Sequence, residues 1–184
     1  MKTIKIPAAL HDVFGEEMTV VELLMILTVS TATTIALFVF TRAEWSSLPL
    51  WKTGLLFLLI FDIMAGFIAN LTFSTNRFYR DRPKNRLAFI LLHIQPLVFA
   101  LLLNGYLWMC IVAWVYTVLS ALIVNNLQTH PAQKALAGSL VSIGLLVLLL
   151  NAAALPILLL ASLAFYELKV IYSFAVDQYA PRAI

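Results

Sequence analysis

Three ionisable residues, Asp62, His93 and Glu167, lie inside long apolar stretches of the sequence. An ionised side chain at the centre of a bilayer costs ~2.5–3.5 kcal/mol on insertion scales, so such residues are candidates for a functional site. A carboxylate or an imidazole in this setting can bind a cation, carry a proton or hydrogen-bond to a polar solute. The alternative is a structural role, in which each polar side chain only hydrogen-bonds to a neighbouring helix.

Asp62 begins a polar pattern with helical spacing. Gly66 and Asn70 follow at intervals of four residues, so the three residues are predicted to share one narrow face of a helix. Gly66 would let a neighbouring helix pack closely against this face. A narrow polar face on an otherwise apolar helix is expected to point towards the interior of a bundle.

Glu167 is predicted to lie at a depth similar to that of Asp62. Two carboxylates at one depth would either share a proton or a cation, or lie far apart and be paired separately. Lys169 is two residues further on and faces another side of the helix, so it is not predicted to pair with Glu167. Its candidate partners are Asp62 and Asp177.

The third polar feature combines His93 with Gln95 and Pro96. Because proline lacks an N–H and clashes with the preceding turn, the helix is predicted to kink here and to leave a carbonyl group free. Together with the polar stretch that leads into the basic loop, His93 and Gln95 are predicted to form a cytoplasm-facing pocket, the most concentrated polar site. The residues of that stretch are Asn70, Thr72, Ser74, Thr75 and Asn76. The candidate substrate- or ion-binding residues are therefore Asp62, Asn70, His93, Gln95 and Glu167.

A dense basic loop is predicted after the second apolar stretch. It holds one acid, Asp81, and five basic residues, which are Arg77, Arg80, Arg82, Lys84 and Arg86. One interpretation is that this cytoplasmic loop binds phosphate or anionic lipid headgroups. The other is that it only sets the orientation of the chain in the membrane.

The elements that must position these residues are membrane helices. Of the 184 residues, 62% are hydrophobic and 11% are charged, and the mean hydropathy is +0.97. Soluble domains are ~45–50% apolar and ~25% charged, and a spanning helix needs ~20 residues. The sequence therefore predicts an all-α integral membrane protein, a single transmembrane domain over residues 1–184. Its six predicted spans are approximately 19–40, 51–73, 87–103, 106–124, 135–154 and 156–176.

Local signals mark several helix ends. Thr19 followed by Glu22 predicts a capping box at the start of the first span. Pro83 is predicted to lie at a helix start, and Asn104-Gly105 predicts a tight turn. The connection before Pro156 is so short that the fifth and sixth spans could instead form one broken segment. The residues from Ile4 to Phe14 are a candidate for a short interfacial helix.

The basic residues predict the orientation of the bundle. Cytoplasmic loops of membrane proteins carry an excess of lysine and arginine. One side of the predicted bundle carries only Arg42 and Lys52. Both termini are therefore predicted to lie in the cytoplasm, on the side that carries Lys2, Lys5, Arg77, Arg80, Arg82, Lys84, Arg86, Lys134 and Arg182.

Three classes of function remain open for a multi-pass protein of the cell membrane. The first is binding or transport of a small polar solute, an ion or a proton. The second is an accessory subunit that contacts a partner membrane protein or another copy of itself, through the basic loop or through Ala32 and Ala36. The third is an enzyme acting on a lipid or lipid-linked substrate, with Asp62 or His93 as general base and the arginines on a phosphate.

The sequence predicts no metal, no cofactor and no nucleic-acid partner, and the lipid bilayer is its predicted environment. It contains no Walker-type glycine loop, no HExxH and no GxSxG motif. No residue is therefore assigned a catalytic role from a motif.

Overall fold

The computed structural model describes residues 3–181, of which most are helical. Six helices are long and apolar enough to cross a membrane, which confirms the prediction of an all-α protein with six such segments. The fifth and sixth are separate helices joined through a 3₁₀ turn at Ala152–Ala154, so they do not form one broken segment.

The helices follow one another with short connections. In chain order they are α1 (His11–Phe14), α2 (Val20–Phe40), α3 (Arg42–Trp45), α4 (Leu50–Ala69), α5 (Phe73–Arg80), α6 (Pro83–Leu92), α7 (Gln95–Leu102), α8 (Leu107–Asn125), α9 (Gln133–Leu150) and α10 (Ile157–Glu167). Helix α10 continues as a π-helix over Leu168–Phe174. The six membrane-length segments are α2, α4, α6 with α7, α8, α9, and α10 with its π-helix.

The sixth segment, α10 with its π-helix, is the centre of the bundle. Of its apolar window, 61% is buried, compared with 11% for α2. It packs against α4, α8 and α9, and its fully buried side chains include Leu159, Leu163 and Val170. Helix α2 packs mainly on α4. Polar groups on α10 are therefore enclosed by other helices, whereas most of α2 faces outwards.

Helix starts agree with the local signals in the sequence. At the start of α2, Thr19 Oγ1 accepts a hydrogen bond from the Glu22 N–H at 3.2 Å, and Glu22 Oε2 accepts one from the Thr19 N–H at 2.9 Å. This capping box satisfies two N–H groups that have no partner within the helix. Pro83 lies in the first turn of α6, and Asn104 lies in the α7–α8 turn with a φ of +53°.

The N-terminal segment forms a hairpin, whereas the sequence suggested a short helix between Ile4 and Phe14. Strands β1 (Thr3–Lys5) and β2 (Glu17–Thr19) pair in antiparallel fashion, and only α1 and a 3₁₀ turn at Ala8–Leu10 are helical. The segment is fixed by tertiary contacts, since Tyr79 Oη donates to the main-chain oxygen of Asp12 at 2.9 Å. Gly15 turns the chain with a φ of +71°.

The segment predicted as a basic loop is mostly helical. Thr72 caps α5, with its Oγ1 accepting from the Thr75 N–H at 3.5 Å, and Pro83 starts α6 almost immediately afterwards. Four of the five basic residues, all except Arg82, therefore lie on α5 or α6. A threonine cap followed by a proline at a helix start explains why two short helices form in so polar a stretch.

Apart from Lys169, which is buried within the bundle, the described lysine and arginine residues separate between its two ends. We call the end formed by the N-terminal hairpin, α5 and the start of α6 the basic end; it also holds Lys5 and Lys134. Arg42 and Lys52 lie at the opposite end, where α3 and the start of α4 are. Lys2 and Arg182, which also enter the charge count, lie outside the described residues.

Candidate functional site

One cavity of about 210 Å³ brings together four of the five candidate binding residues. It lies between α4, the break between α6 and α7, the π-helix and α1. Its polar lining consists of Asp12, Asp62, Asn70, His93, Gln95 and Lys169. Gly66 also lines it, so the whole polar face predicted on α4 contributes to one cavity. We call this cavity the Asp62 cavity.

An ion pair between Asp62 and Lys169 forms part of the wall of the Asp62 cavity. Lys169 Nζ is 2.8 Å from Asp62 Oδ2, and Gln95 Nε2 donates to the same oxygen at 2.9 Å. The two partners differ in burial, because the Lys169 side chain is 3% exposed and that of Asp62 is 47% exposed. The sequence left two candidate partners for Lys169, Asp62 and Asp177. The 2.8 Å distance shows that Lys169 pairs with Asp62.

Gly66 makes room for the Lys169 side chain. A Cβ atom at position 66 would lie 2.9 Å from Lys169 Nζ and 3.3 Å from Lys169 Cδ. The long apolar part of Lys169 thus crosses α4 where a side chain is absent, which lets its ammonium group reach the carboxylate one turn earlier. Because Gly66 lies one helical turn after Asp62, the lysine side chain can cross α4 at Gly66 and pair with Asp62.

The third membrane-length segment is broken beside the cavity. Helix α6 ends at Leu92, His93 has a ψ of 69°, and α7 begins at Gln95. The carbonyl oxygen of His93, left without a partner in the helix, accepts a hydrogen bond from Tyr166 Oη at 2.7 Å. If this segment crosses a membrane, its non-helical backbone needs such partners, because lipid provides none. The break confirms the kink predicted from Pro96, and the Tyr166 side chain stabilises it.

His93 presents one ring nitrogen for other interactions. Its Nδ1 is hydrogen-bonded to the main-chain oxygen of Phe89, so in the neutral ring Nδ1 carries the hydrogen and Nε2 is an acceptor. The ring packs against that of Phe89 at a centroid distance of 4.0 Å. His93 is thus oriented by its own helix and lies in the wall of the Asp62 cavity.

Two further polar atoms in this region lack a partner among the described residues. Asn70 Nδ2 and Gln95 Oε1 are buried and form no hydrogen bond, and Asn70 as a whole is only 3% exposed. Buried polar groups in proteins are nearly always hydrogen-bonded, and leaving one without a partner costs about 1–3 kcal/mol. Both residues line the Asp62 cavity, and because these two atoms have almost no exposed surface, a ligand would hydrogen-bond to them only after the amide groups turn towards the cavity.

Glu167 is not part of the Asp62 cavity. Its carboxyl group faces Gly144 of α9 and lines a separate cavity of about 70 Å³ between α8 and α9. The sequence left open whether Asp62 and Glu167 share a proton or are placed separately. The structure separates them, because Asp62 pairs with Lys169 on the other side of α10.

Most basic residues of the basic segment form ion pairs or hydrogen bonds with other parts of the protein. At the basic end, Arg80 forms two hydrogen bonds with the Asp177 carboxylate, from Nε at 2.7 Å and from Nη2 at 2.5 Å. These hydrogen bonds raise the pKa of the Arg80 guanidinium above its ordinary value. Arg82 pairs with Glu16 at 2.9 Å, and Arg77 lies 4.0 Å from Asp81 on the surface.

Arg86 is a buried tie at the end of the sixth segment. It is 1% exposed, and it donates to Asn125 Oδ1 at 2.7 Å and to the main-chain oxygens of Phe174 and Ala175 at 3.0 and 2.9 Å. These carbonyl groups lie at the end of the π-helix, where intrahelical donors run out. None of the five basic residues lines the Asp62 cavity, so the structure does not bring the arginines to Asp62 or His93.

Residues from distant parts of the chain complete the site. Tyr166 and the α1 residues Asp12 and Val13 were not singled out from the sequence, because their roles depend on contacts between distant elements. Within residues 3–181, no group of three or more His, Cys, Asp or Glu side chains is placed to hold a metal ion. Comparisons with known proteins find no matching family model, curated protein or solved structure.

Proposed function

We propose that this chain is a multi-pass protein of the cell membrane that binds a small polar solute in the Asp62 cavity, as a binding or transport component. The observation that carries this proposal is the convergence of an ion pair with polar atoms that lack partners, Asn70 Nδ2 and Gln95 Oε1, beside a broken helix. Binding sites of transporters are often formed by discontinuous helices of this kind.

The chemistry of the lining favours a solute with both donor and acceptor groups. An anionic and a cationic group 2.8 Å apart can each pair with the opposite charge of a zwitterion. The amide groups of Asn70 and Gln95, once turned towards the cavity, would supply a donor and an acceptor. The cavity of about 210 Å³ corresponds to roughly seven water molecules at ~30 Å³ each. These dimensions suit a molecule of several heavy atoms.

Asn70→Ala provides the sharpest test of this function. The Asn70 side chain has no hydrogen-bond partner among the described residues, so its loss should leave folding nearly unchanged and remove a ligand contact. Asn151→Ala is the matched control, because Asn151 is exposed and bonds only within its own helix, to the Val147 oxygen at 2.8 Å.

The measurement is the unfolding temperature of the purified protein in detergent with a panel of amino acids, small polyols and alkali cations. We expect one class of solute to stabilise the wild type and the Asn151→Ala variant, and to stabilise Asn70→Ala much less. The proposal is overturned if no solute stabilises the wild type, or if Asn70→Ala responds as fully as the wild type. Uptake of the same solute into liposomes then distinguishes a transporter from a binding subunit.

The proposal includes an orientation with the basic end in the cytoplasm. The support is the separation of basic residues between the two ends, together with the preference of cytoplasmic loops for lysine and arginine. A reporter enzyme that is active only in the cytoplasm, fused after Pro181, should be active. Activity of an exported reporter at the same position would reverse the orientation.

A second candidate function is that of an accessory subunit. The supporting observation is that α2 is only 11% buried in its apolar window and leaves Ala32 exposed on its outer surface. Ala36 follows Ala32 after four residues, and small residues at this spacing allow the backbones of two helices to approach closely. Purification in mild detergent should then recover a stoichiometric partner, or a dimer that Ala32→Leu dissociates. A monomer whose mass is unchanged in Ala32→Leu would remove this candidate.

A further inference from the structure

Glu167 is a buried carboxyl group that the Asp62 cavity does not use. It is 2% exposed, and its Oε2 atom has no hydrogen-bond partner among the described residues. It lies where α10 ends and the π-helix begins. An ionised carboxylate buried without a partner is unfavourable by several kcal/mol, whereas the neutral acid is not penalised in this way. The surroundings of Glu167 therefore favour a bound proton.

The separate cavity beside Glu167 is large enough to hold water. Its volume of about 70 Å³ corresponds to roughly two water molecules. Its walls are mainly apolar side chains of α8 and α9, such as Ala113 and Leu148. Val147, which also lines it, is 41% exposed, so the cavity borders the apolar outer face of α9.

Gly144 sets the position of the carboxyl group. A Cβ atom at this position would lie 2.7 Å from Glu167 Cδ and 2.8 Å from Tyr116 Cε1. The absence of a side chain on α9 therefore gives the carboxyl group its place between the two helices. Any larger residue would have to push it towards the core.

The neighbouring elements supply no counter-charge to Glu167. On α8, the Tyr116 hydroxyl group donates to the Leu140 oxygen at 2.6 Å, and on α10 the Tyr166 hydroxyl group donates to the His93 oxygen at 2.7 Å. The ammonium group of Lys169 is bound to Asp62 of α4. Helix α9 contributes only Gly144 and apolar side chains to the cavity, and no charged residue lies on α7.

We propose that Glu167 is a proton-binding site that is separate from the solute site. Its carboxylate takes a proton from hydronium, giving a carboxylic acid and water, and the reverse step returns the proton. No other reactant is needed. The two features that carry this assignment are the buried carboxyl group without a counter-charge and the small cavity beside it.

Dicyclohexylcarbodiimide, an apolar reagent, tests this assignment in membranes. The O–H of a protonated carboxyl group adds across a C=N bond of the carbodiimide to give an O-acylisourea, which rearranges to a stable N-acylurea without loss of atoms. Peptide mass spectrometry should find one added reagent on the peptide that contains Glu167. Labelling should slow as the pH is raised, because the ionised form does not react in this way.

Matched variants make the test specific. Asp62→Asn should still be labelled at Glu167, Glu167→Gln should not be labelled there, and Gly144→Ala should be labelled more slowly. A water-soluble carbodiimide should label Glu167 much less than the apolar reagent. Labelling of the wild type elsewhere but not at Glu167 overturns the proposal, and so does a rate that is independent of pH. Because solute-dependent stabilisation is a different measurement, failure of either proposal leaves the other testable.

Discussion

Replacing Asp62 by asparagine should destabilise the protein more than replacing its partner Lys169 by methionine. The two charges are 2.8 Å apart, but the Lys169 side chain is 3% exposed and that of Asp62 is 47% exposed. In Asp62→Asn, a buried ammonium group loses its counter-charge. In Lys169→Met, the carboxylate remains partly exposed and keeps its hydrogen bond from Gln95 at 2.9 Å.

The expected magnitudes follow from this difference in burial. Removing one partner of a buried ion pair costs about 3–5 kcal/mol, and we expect ~3 kcal/mol for Asp62→Asn because the asparagine oxygen can still accept from the ammonium group. For Lys169→Met we expect ~1 kcal/mol, since the carboxylate still faces a polar cavity with its Gln95 hydrogen bond and methionine retains the packing of the lysine stem. The double variant Asp62→Asn/Lys169→Met should have about the same free energy of unfolding as Lys169→Met, because neither charge of the pair remains.

The assay is the free energy of unfolding in mixed micelles, measured by titration with sodium dodecyl sulfate and tryptophan fluorescence. Asp81→Asn is the matched control, because Asp81 forms a 4.0 Å pair with Arg77 on the surface. We expect that control to change stability by less than ~0.5 kcal/mol. The reasoning is refuted if Asp62→Asn is no more destabilising than Lys169→Met, or if the double variant is the least stable of the three.

Three further predictions concern a helix cap, a pH dependence and a packing contact. Glu44→Gln should lower the unfolding temperature and make it less dependent on salt. The Glu44 carboxylate accepts hydrogen bonds from the first two N–H groups of α10 at 2.9 and 2.8 Å, and a negative charge at a helix start contributes about 0.3–1 kcal/mol. Equal salt dependence of the wild type and Glu44→Gln would contradict this. Burial raises the pKa of Tyr79 in the folded protein. As the pH rises, the unfolded chain therefore loses the phenolic proton first, which favours unfolding. The free energy of unfolding is thus unaffected by Tyr79 below the ordinary pKa of ~10 and falls as the pH rises above it. Unfolding temperatures measured across that pH range should therefore fall less steeply for Tyr79→Phe, and identical slopes would refute the assignment. Gly66→Ala should abolish solute-dependent stabilisation, because its Cβ would lie 2.9 Å from the ammonium nitrogen of the ion pair, whereas Gly138→Ala, whose Cβ would meet nothing within 4 Å, should behave as the wild type.

The α4 pattern shows how much of the site the sequence could predict. The spacing of Asp62, Gly66 and Asn70 depends only on helix geometry, and all three residues line one cavity in the structure. The break after His93 was also predictable, because a proline disrupts the helix locally. What the spacing could not provide is the reason for Gly66, which is the passage of Lys169 across α4.

The basic segment shows a limit of composition as a guide. Its density of arginines suggested a surface for anionic headgroups, which stays a prediction for its exposed members. The structure uses Arg80 and Arg86 to hold the chain segment that follows the sixth helix, through Asp177 and the main-chain oxygens of Phe174 and Ala175. A charge count cannot distinguish a buried tie from a solvated charge, because the distinction depends on which segment folds against it.

The sequence by itself determined six long apolar helices, the capping box at Thr19, and a polar face on α4, because each depends on residues within a few turns of one another. Only the tertiary structure decided that Lys169 pairs with Asp62 across 107 residues, and that Glu44 caps α10 across 113 residues. The same holds for the separation of Glu167 from Asp62. These contacts depend on the order in which helices pack and on the rotation of each about its axis. Because the helix surfaces are almost uniformly apolar, the sequence does not determine the packing order or the rotation of each helix. Contacts between polar groups on different helices determine them in the folded protein.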